Sequence, residues 1–468
     1  MRVASSLRHL ALYPLSAATL AVLLLIPAIQ IGRLGVPLGR DRQDLKLLLQ
    51  ALSRKADLVL SHDIQADRSA PEIWIQRLGA DQAADRWSAL RGQIWWTAWM
   101  GDGAPVLILP RPSAARSAAD RSAADRSAAA EPEGLPGHQL LFADALHEKV
   151  FREQPLEVKG VPSRLETVCL DRLMSTRAVR WRPAALSSLA GASSVLLQSA
   201  AHGCLSLSLK GKDLRFSGFV SPRPLASAPD RLRPSPPRVT QQERSAMTPV
   251  GDATTLLHLQ SHPSSPVLRA LLERPLIKQN LESAFGVTPK LRRLLLDAPM
   301  ALRLHRLAGG PYQAALELDL NLASPTTAVA AALEKTALGL EQRGLSRSKL
   351  ALINPDGRSV TDALVWSQPE RPPLGGWAWF KTQDQSPQLR FSLGAPPSAR
   401  QPEPLNKDQT GLSIVLQPAA LTQLDLLPGR WPAVVRQADR IKLWIAPLTG
   451  DKLGPQDWSW LDGQLSLP

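Results

Sequence analysis

Eight histidines and two cysteines are the side chains here with the widest chemical range. His258 and His262 stand four apart, a spacing that on a helix puts two imidazoles on one face, as a metal site needs. No third ligand follows at helical spacing and Pro263 comes at once, so ordinary polar roles are expected, with no metal and no other cofactor. His202-Gly203-Cys204 sets a base beside a thiol, the outline of a nucleophilic pair. Cys204 also opens an alternating stretch in which a small apolar residue is expected, and a structural role is the stronger reading. Two cysteines alone cannot build a zinc site and no Cys-x-x-Cys is present. Cys169 and Cys204 either form one disulfide, if the body is exported, or serve as small buried apolar side chains. Nucleophile-elbow, phosphate-loop, His-Glu-x-x-His and Gly-x-Gly-x-x-Gly patterns are all missing, so no catalytic residue is assigned.

Tryptophan is the unusual residue, with 13 copies, several of them grouped. Trp95, Trp96 and Trp99 form one group and Trp377 and Trp379 another. Tryptophans two apart on a strand share a face, and such a stripe can dock a partner, a glycan or lipid headgroups. These five residues are the candidate interaction surface. The competing role is that of bulky core filler.

The elements that must carry these residues begin with residues 10–31, 22 positions without a charge. At 1.5 Å per residue that run is long enough to cross roughly 30 Å of hydrocarbon. Arg2 and Arg8 precede it and Arg33 follows it. A cleavable signal would be shorter and would end in a small-x-small site, which Pro27-Ala28-Ile29-Gln30 does not offer. A transmembrane anchor through the lipid bilayer is therefore expected after a tail of residues 1–9. The flanking basic residues are nearly balanced and lean toward a cytoplasmic body, but a short tail before a long domain favours the body on the exported, periplasmic or lumenal side.

Behind the anchor, apolar residues at Leu45, Leu48, Leu49, Leu52 and Ala56 mark one face of a helix. Ile73-Trp74-Ile75 and Ile94-Trp95-Trp96 read as short strands around a helix near 81–90. Residues 111–137 hold one internal repeat, Arg-Ser-Ala-Ala-Asp at 116–120 and 121–125, and read as a low-complexity insertion. The segments 204–209 and 214–220 alternate and are joined by Lys210-Gly211-Lys212-Asp213, a hairpin signature. The proline-rich stretch 221–249 reads as a linker or loop. Beyond it come a hairpin around Gly309-Gly310-Pro311, a helix from Ser324-Pro325 stopped at Gly344, and strands interleaved with short helices to the end. The expected fold is α+β, a transmembrane helix followed by two lobes, 32–220 and 250–468, of mainly antiparallel sheets with packed helices.

The net charge is +14, and the largest shares are +8 in residues 161–250 and +5 in 251–400. The basic residues are scattered and not massed as a stripe, which disfavours nucleic acid as a partner. The layout resembles uncharacterised cyanobacterial proteins with an N-terminal membrane helix before a long body. The residues prompting this are Ile94-Trp95-Trp96 leading to Leu107-Ile108-Leu109-Pro110, the hairpin at 203–220, and 300–322 with its Gly-Gly-Pro turn. That resemblance implies a membrane location and no activity. The expected function is a membrane-anchored, non-enzymatic component of the cell envelope or thylakoid that binds a protein partner or acts as a scaffold. The alternatives are a carrier or sensor for lipid or another apolar ligand, and a membrane-bound hydrolase without a recognisable motif.

Overall fold

The computed structural model describes residues 41–229 apart from 66–67, 102, 112–137, 154–159 and 191–199, then residue 232, then 254–468. Within 254–468 the residues outside the description are 262–274, 276–277, 280–281, 284–287, 323–326, 354–358, 382–386, 403–410, 428–432 and 449–457. The expected anchor at 10–31, the low-complexity insertion and most of the proline-rich stretch lie outside it. Among the described residues no helix is long and apolar enough to cross a membrane.

Contacts divide the described residues into two compact units, one of those within 41–232 with residue 448, the other of those within 254–447 and 458–468. The first is built on strands β1 (Leu58–Asp63), β2 (Ile94–Trp99), β3 (Val106–Pro110), β4 (His138–Leu141), β5 (Ala178–Trp181), β6 (His202–Lys210) and β7 (Asp213–Ser221). Their order is β4-β3-β2-β1-β5-β6-β7, antiparallel throughout. The second has β8 (Thr255–Ser261), β9 (Met300–Arg306), β10 (Ala314–Asn321), β11 (Ser346–Ile353), β12 (Ser359–Ser367), β13 (Gly375–Lys381), β14 (Pro387–Leu393), β15 (Leu412–Leu416), β16 (Arg440–Pro447) and β17 (Ser459–Ser466). Its order is β11-β12-β13-β14-β10-β9-β8-β15-β16-β17, also antiparallel.

This corrects the α+β expectation. Among the described residues, seventeen strands in antiparallel ladders form the frame, and the helices flank or connect them. The strands are short and many are buried on both faces, so their apolar runs lack the alternation that separates a strand from a buried helix. Ile73-Trp74-Ile75 is such a case. It lies in the helix Glu72–Leu78, which begins after Pro71, buries Trp74 and ends at Gly79 with φ +80°. The 204–220 hairpin forms as read, because its alternation and the two-residue turn at Gly211, φ +63°, agree on one register.

The two units share one plan. Deleting β11–β13, which run as an insertion between β10 and β14, leaves β14-β10-β9-β8-β15-β16-β17, strand for strand the order of the first unit. The registers coincide too. Leu58 faces Trp181 and Trp99, and Leu257 faces Leu416 and Leu304. Leu60 faces Val179 as Leu259 faces Ile414. Directly after β5 and after β15 stands the same tetrapeptide, Pro-Ala-Ala-Leu, at 183–186 and 418–421. Each copy opens a short helix with proline in the first turn, where its missing N–H costs nothing. The residue before each proline donates its N–H to the start of the central strand, Arg182 to Asp57 O at 2.8 Å and Gln417 to Leu256 O at 2.9 Å. The chain thus carries a second internal repeat, spread too thinly to be noticed before the strands are aligned.

Apolar burial follows this frame. In the first unit Trp74, Trp87 and Trp95 pack with Ile64, Leu90, Leu107 and Leu109. In the second, the helix Thr327–Glu341 lays Val329 and Ala337 against Trp366, Trp377, Leu320 and Leu389. Leu352, Ala363, Val365, Ala378 and Phe380 form another cluster in that unit.

Candidate functional site

Of the five tryptophans expected at a surface, three are interior. Trp95 is 4% exposed, stacked on His62 at 4.3 Å and edge-on to Trp74 at 5.4 Å. Trp96, its neighbour on β2, faces the other way and donates Nε1–H to Leu173 O at 2.8 Å. Trp377 packs on Trp366 at 5.4 Å, and Trp379 lies partly buried against the same cluster. Trp99 is partly buried at the end of β2. The rings therefore contribute burial, and the core role describes Trp95, Trp96 and Trp377.

Cys204 is bonded to Cys169, with S–S 2.06 Å and Cα–Cα 5.8 Å. That settles the choice left open by the sequence and removes Cys204 as a thiol nucleophile. His258 is buried on β8, His262 lies outside the described residues, and no group of three His, Cys, Asp or Glu suited to a metal occurs among those described.

The chemically distinctive place is the face of the first sheet that carries this disulfide. It is built from α1 (Asp41–Lys55), α2 (Arg164–Ser175), β5 and β6. Ser163 caps α2, its Oγ accepting the Glu166 N–H at 3.1 Å and donating to Leu225 O at 2.6 Å. Glu166, 1% exposed, accepts Arg54 Nε on one oxygen and Nη2 on the other, both at 3.0 Å. This bidentate bond raises the Arg54 pKa. Arg182 Nη1 caps the last turn of α1 through Arg54 O and Lys55 O, each at 2.8 Å.

Arg180 sits between these groups. It faces Val59 on one side and Cys204 on the other, is 5% exposed, and its Nε and Nη1 meet no acceptor. Burial pushes its pKa down to about 9, with Arg182 and Arg54 adding to the effect and Glu166 opposing it, so it stays charged at neutral pH. His202 lies two residues from Cys204 and so on the same face, 7% exposed, with Nδ1 unpartnered. Burial, then Arg180 and Arg182, push its pKa down to about 4. Arg180 thus feels two other guanidinium groups and one carboxylate, and that carboxylate is hydrogen-bonded to Arg54.

The second unit shows what a satisfied buried arginine looks like. Arg390, fully buried, gives Nε to Asp319 Oδ1 at 2.7 Å and Nη2 to Oδ2 at 3.0 Å. Its Nη1 reaches Ser398 O, Ser398 Oγ and Arg400 O at 2.6–2.9 Å. Arg303 adds a bond to Asp319 at 3.2 Å, and Glu317 accepts Ser398 N–H at 2.9 Å. This network pins the 398–400 segment and has the anatomy of a structural staple.

A cleft of about 310 Å³ opens on the first unit, lined by Lys55, Met100, Gly101, Ala104, Val106, His147 and Phe151. His147 bonds Asp144 through Nδ1 at 2.7 Å and through its backbone N–H at 2.9 Å. Asp144 directly precedes the helix Ala145–Glu153, so the pair is a helix cap, and those two bonds hold the Asp144 carboxyl below its usual range. Arg182, bound to Lys55 O, connects the cleft wall to the basic cluster.

Arg180 and His202 were not legible as a pair. Arg180 is one charged residue in a four-residue strand, and Glu166 and Arg54 stand 14 and 126 positions away along the chain. The one local hint is an arginine flanked by Val179 and Trp181, both fully buried. No protein-family model matches the chain, and no curated protein matches it.

Proposed function

We propose that this is a non-enzymatic binding protein of an oxidising compartment outside the cytoplasm, the cell envelope or a thylakoid lumen, where its two sheets act as a scaffold for a partner. The Cys169–Cys204 bond carries the reading, because disulfides form and persist where cytosolic reductants do not reach. The partner-binding part is supported by β11, which ends its sheet. Ser346, Ser348, Ala351 and Ile353 are exposed along it, and an open edge of this kind receives an extended segment by strand addition.

Acid-quenched cells treated with a bulky maleimide test the compartment. Both cysteines are expected to stay unmodified until a reductant is added, and labelling without reductant sinks the proposal. A photoreactive side chain at Ser348 tests the partner. A discrete adduct is expected there and not from the exposed control position Arg91. Equal yields at both positions remove β11 as the docking edge.

A further inference from the structure

We propose that Arg180, with His202 and Arg182 beside it, forms a receptor for one compact oxyanion, a phosphate or carboxylate group, enclosed between β5, β6 and the helix α2. A buried guanidinium with empty N–H groups loses its hydration and gains nothing in return, a penalty that native interiors meet with a counter-ion. Arg390 in the second unit meets it with Asp319. Glu166 acts on Arg180 through its charge, but Arg180 Nε and Nη1 find no hydrogen-bond acceptor. His202 Nδ1 is the second empty buried polar atom on that face, and a protonated Nδ1 would donate to an anion held by Arg180. Arg182 supplies further positive field while its Nη1 is anchored on the α1 carbonyls. Exposures of 5% for Arg180 and 7% for His202 restrict the occupant to a small group.

This inference is independent of the compartment reading and has its own test. Thermal unfolding of the full chain is followed with increasing sodium phosphate or sodium acetate, with sodium chloride holding ionic strength constant. A saturable rise of about 5–10 °C is expected at a hundredfold excess over Kd. Saturation by phosphate alone assigns a phosphoryl group, by acetate alone a carboxylate, and either supports the site. Arg180→Leu is expected to abolish the rise, and its anion-free midpoint should equal or exceed that of the unsubstituted protein, because a buried guanidinium with unmet N–H groups has been removed. No saturable rise, or an undiminished rise in Arg180→Leu, overturns the proposal. If Arg180→Leu does not fold, His202→Asn decides: affinity weaker by about tenfold supports the site, and unchanged affinity overturns it.

Discussion

Replacing Cys169 and Cys204 together by alanine should destabilise the first unit by about 3.8 kcal/mol. The bond closes a loop with a sequence separation of 35, and the chain-entropy relation for a loop of that size gives this value at 25 °C. The two residues are 1% and 0% exposed, so loss of the sulfurs adds a packing cost to the entropic term. What the bond joins is α2 and β6, the same two elements that carry Glu166 and His202. At about 2–4 °C per kcal/mol for a unit of this size, the midpoint of its transition should fall by roughly 8–15 °C. Guanidinium unfolding followed by tryptophan fluorescence reads the change, since Trp96 is hydrogen-bonded to Leu173 O on α2. The midpoint concentration should drop while the slope stays constant. A drop worth less than about 1 kcal/mol would refute the loop-closure reasoning. An altered slope would show that the bond acts on residual structure in the unfolded chain.

Asp319→Ala leaves Arg390 and Arg303 buried without their carboxylate and should cost about 3–5 kcal/mol in urea unfolding, whereas the pair Asp319→Leu with Arg390→Met should recover most of that loss. Gly203→Ala places a Cβ against the Trp181 ring, so it should cost about 1–3 kcal/mol and alter the near-ultraviolet circular dichroism of Trp181. For Glu317, burial pushes the carboxyl pKa up, but the Arg390 charge and the bonds from Ser398 hold it below 4.5 overall. A depressed carboxyl stabilises above its unfolded value and loses that contribution as pH falls through the folded one. Glu317→Gln should therefore flatten the decline of stability below pH 4.5, and an unchanged acid limb in pH-dependent urea unfolding would remove this role.

The local elements were largely open to reading. The period-3.6 face of 45–56 forms α1, the alternation of 204–220 forms a hairpin, and the apolar face of 329–340 forms a helix that ends before Gly344, φ +84°. The α+β class was misread because doubly buried strands lose their alternation, and the sheet order depends on pairings such as Leu58 with Trp181, which no local pattern encodes. The candidate site was hidden for the same reason, since each of its charges is unremarkable in its own segment.

Composition and periodicity determined particular elements, the helices at 41–55 and 327–341 and the hairpin at 202–221, because backbone dihedral preferences and apolar spacing act over a few residues. They also limited the cysteines to two roles. Only the tertiary structure decided that those cysteines are joined, that Trp95 and Trp96 are interior, that one strand plan occurs twice, and that Arg180 Nε and Nη1 are buried without an acceptor. Each of these depends on which surfaces meet across tens to hundreds of residues, and burial and charge balance exist only after they meet.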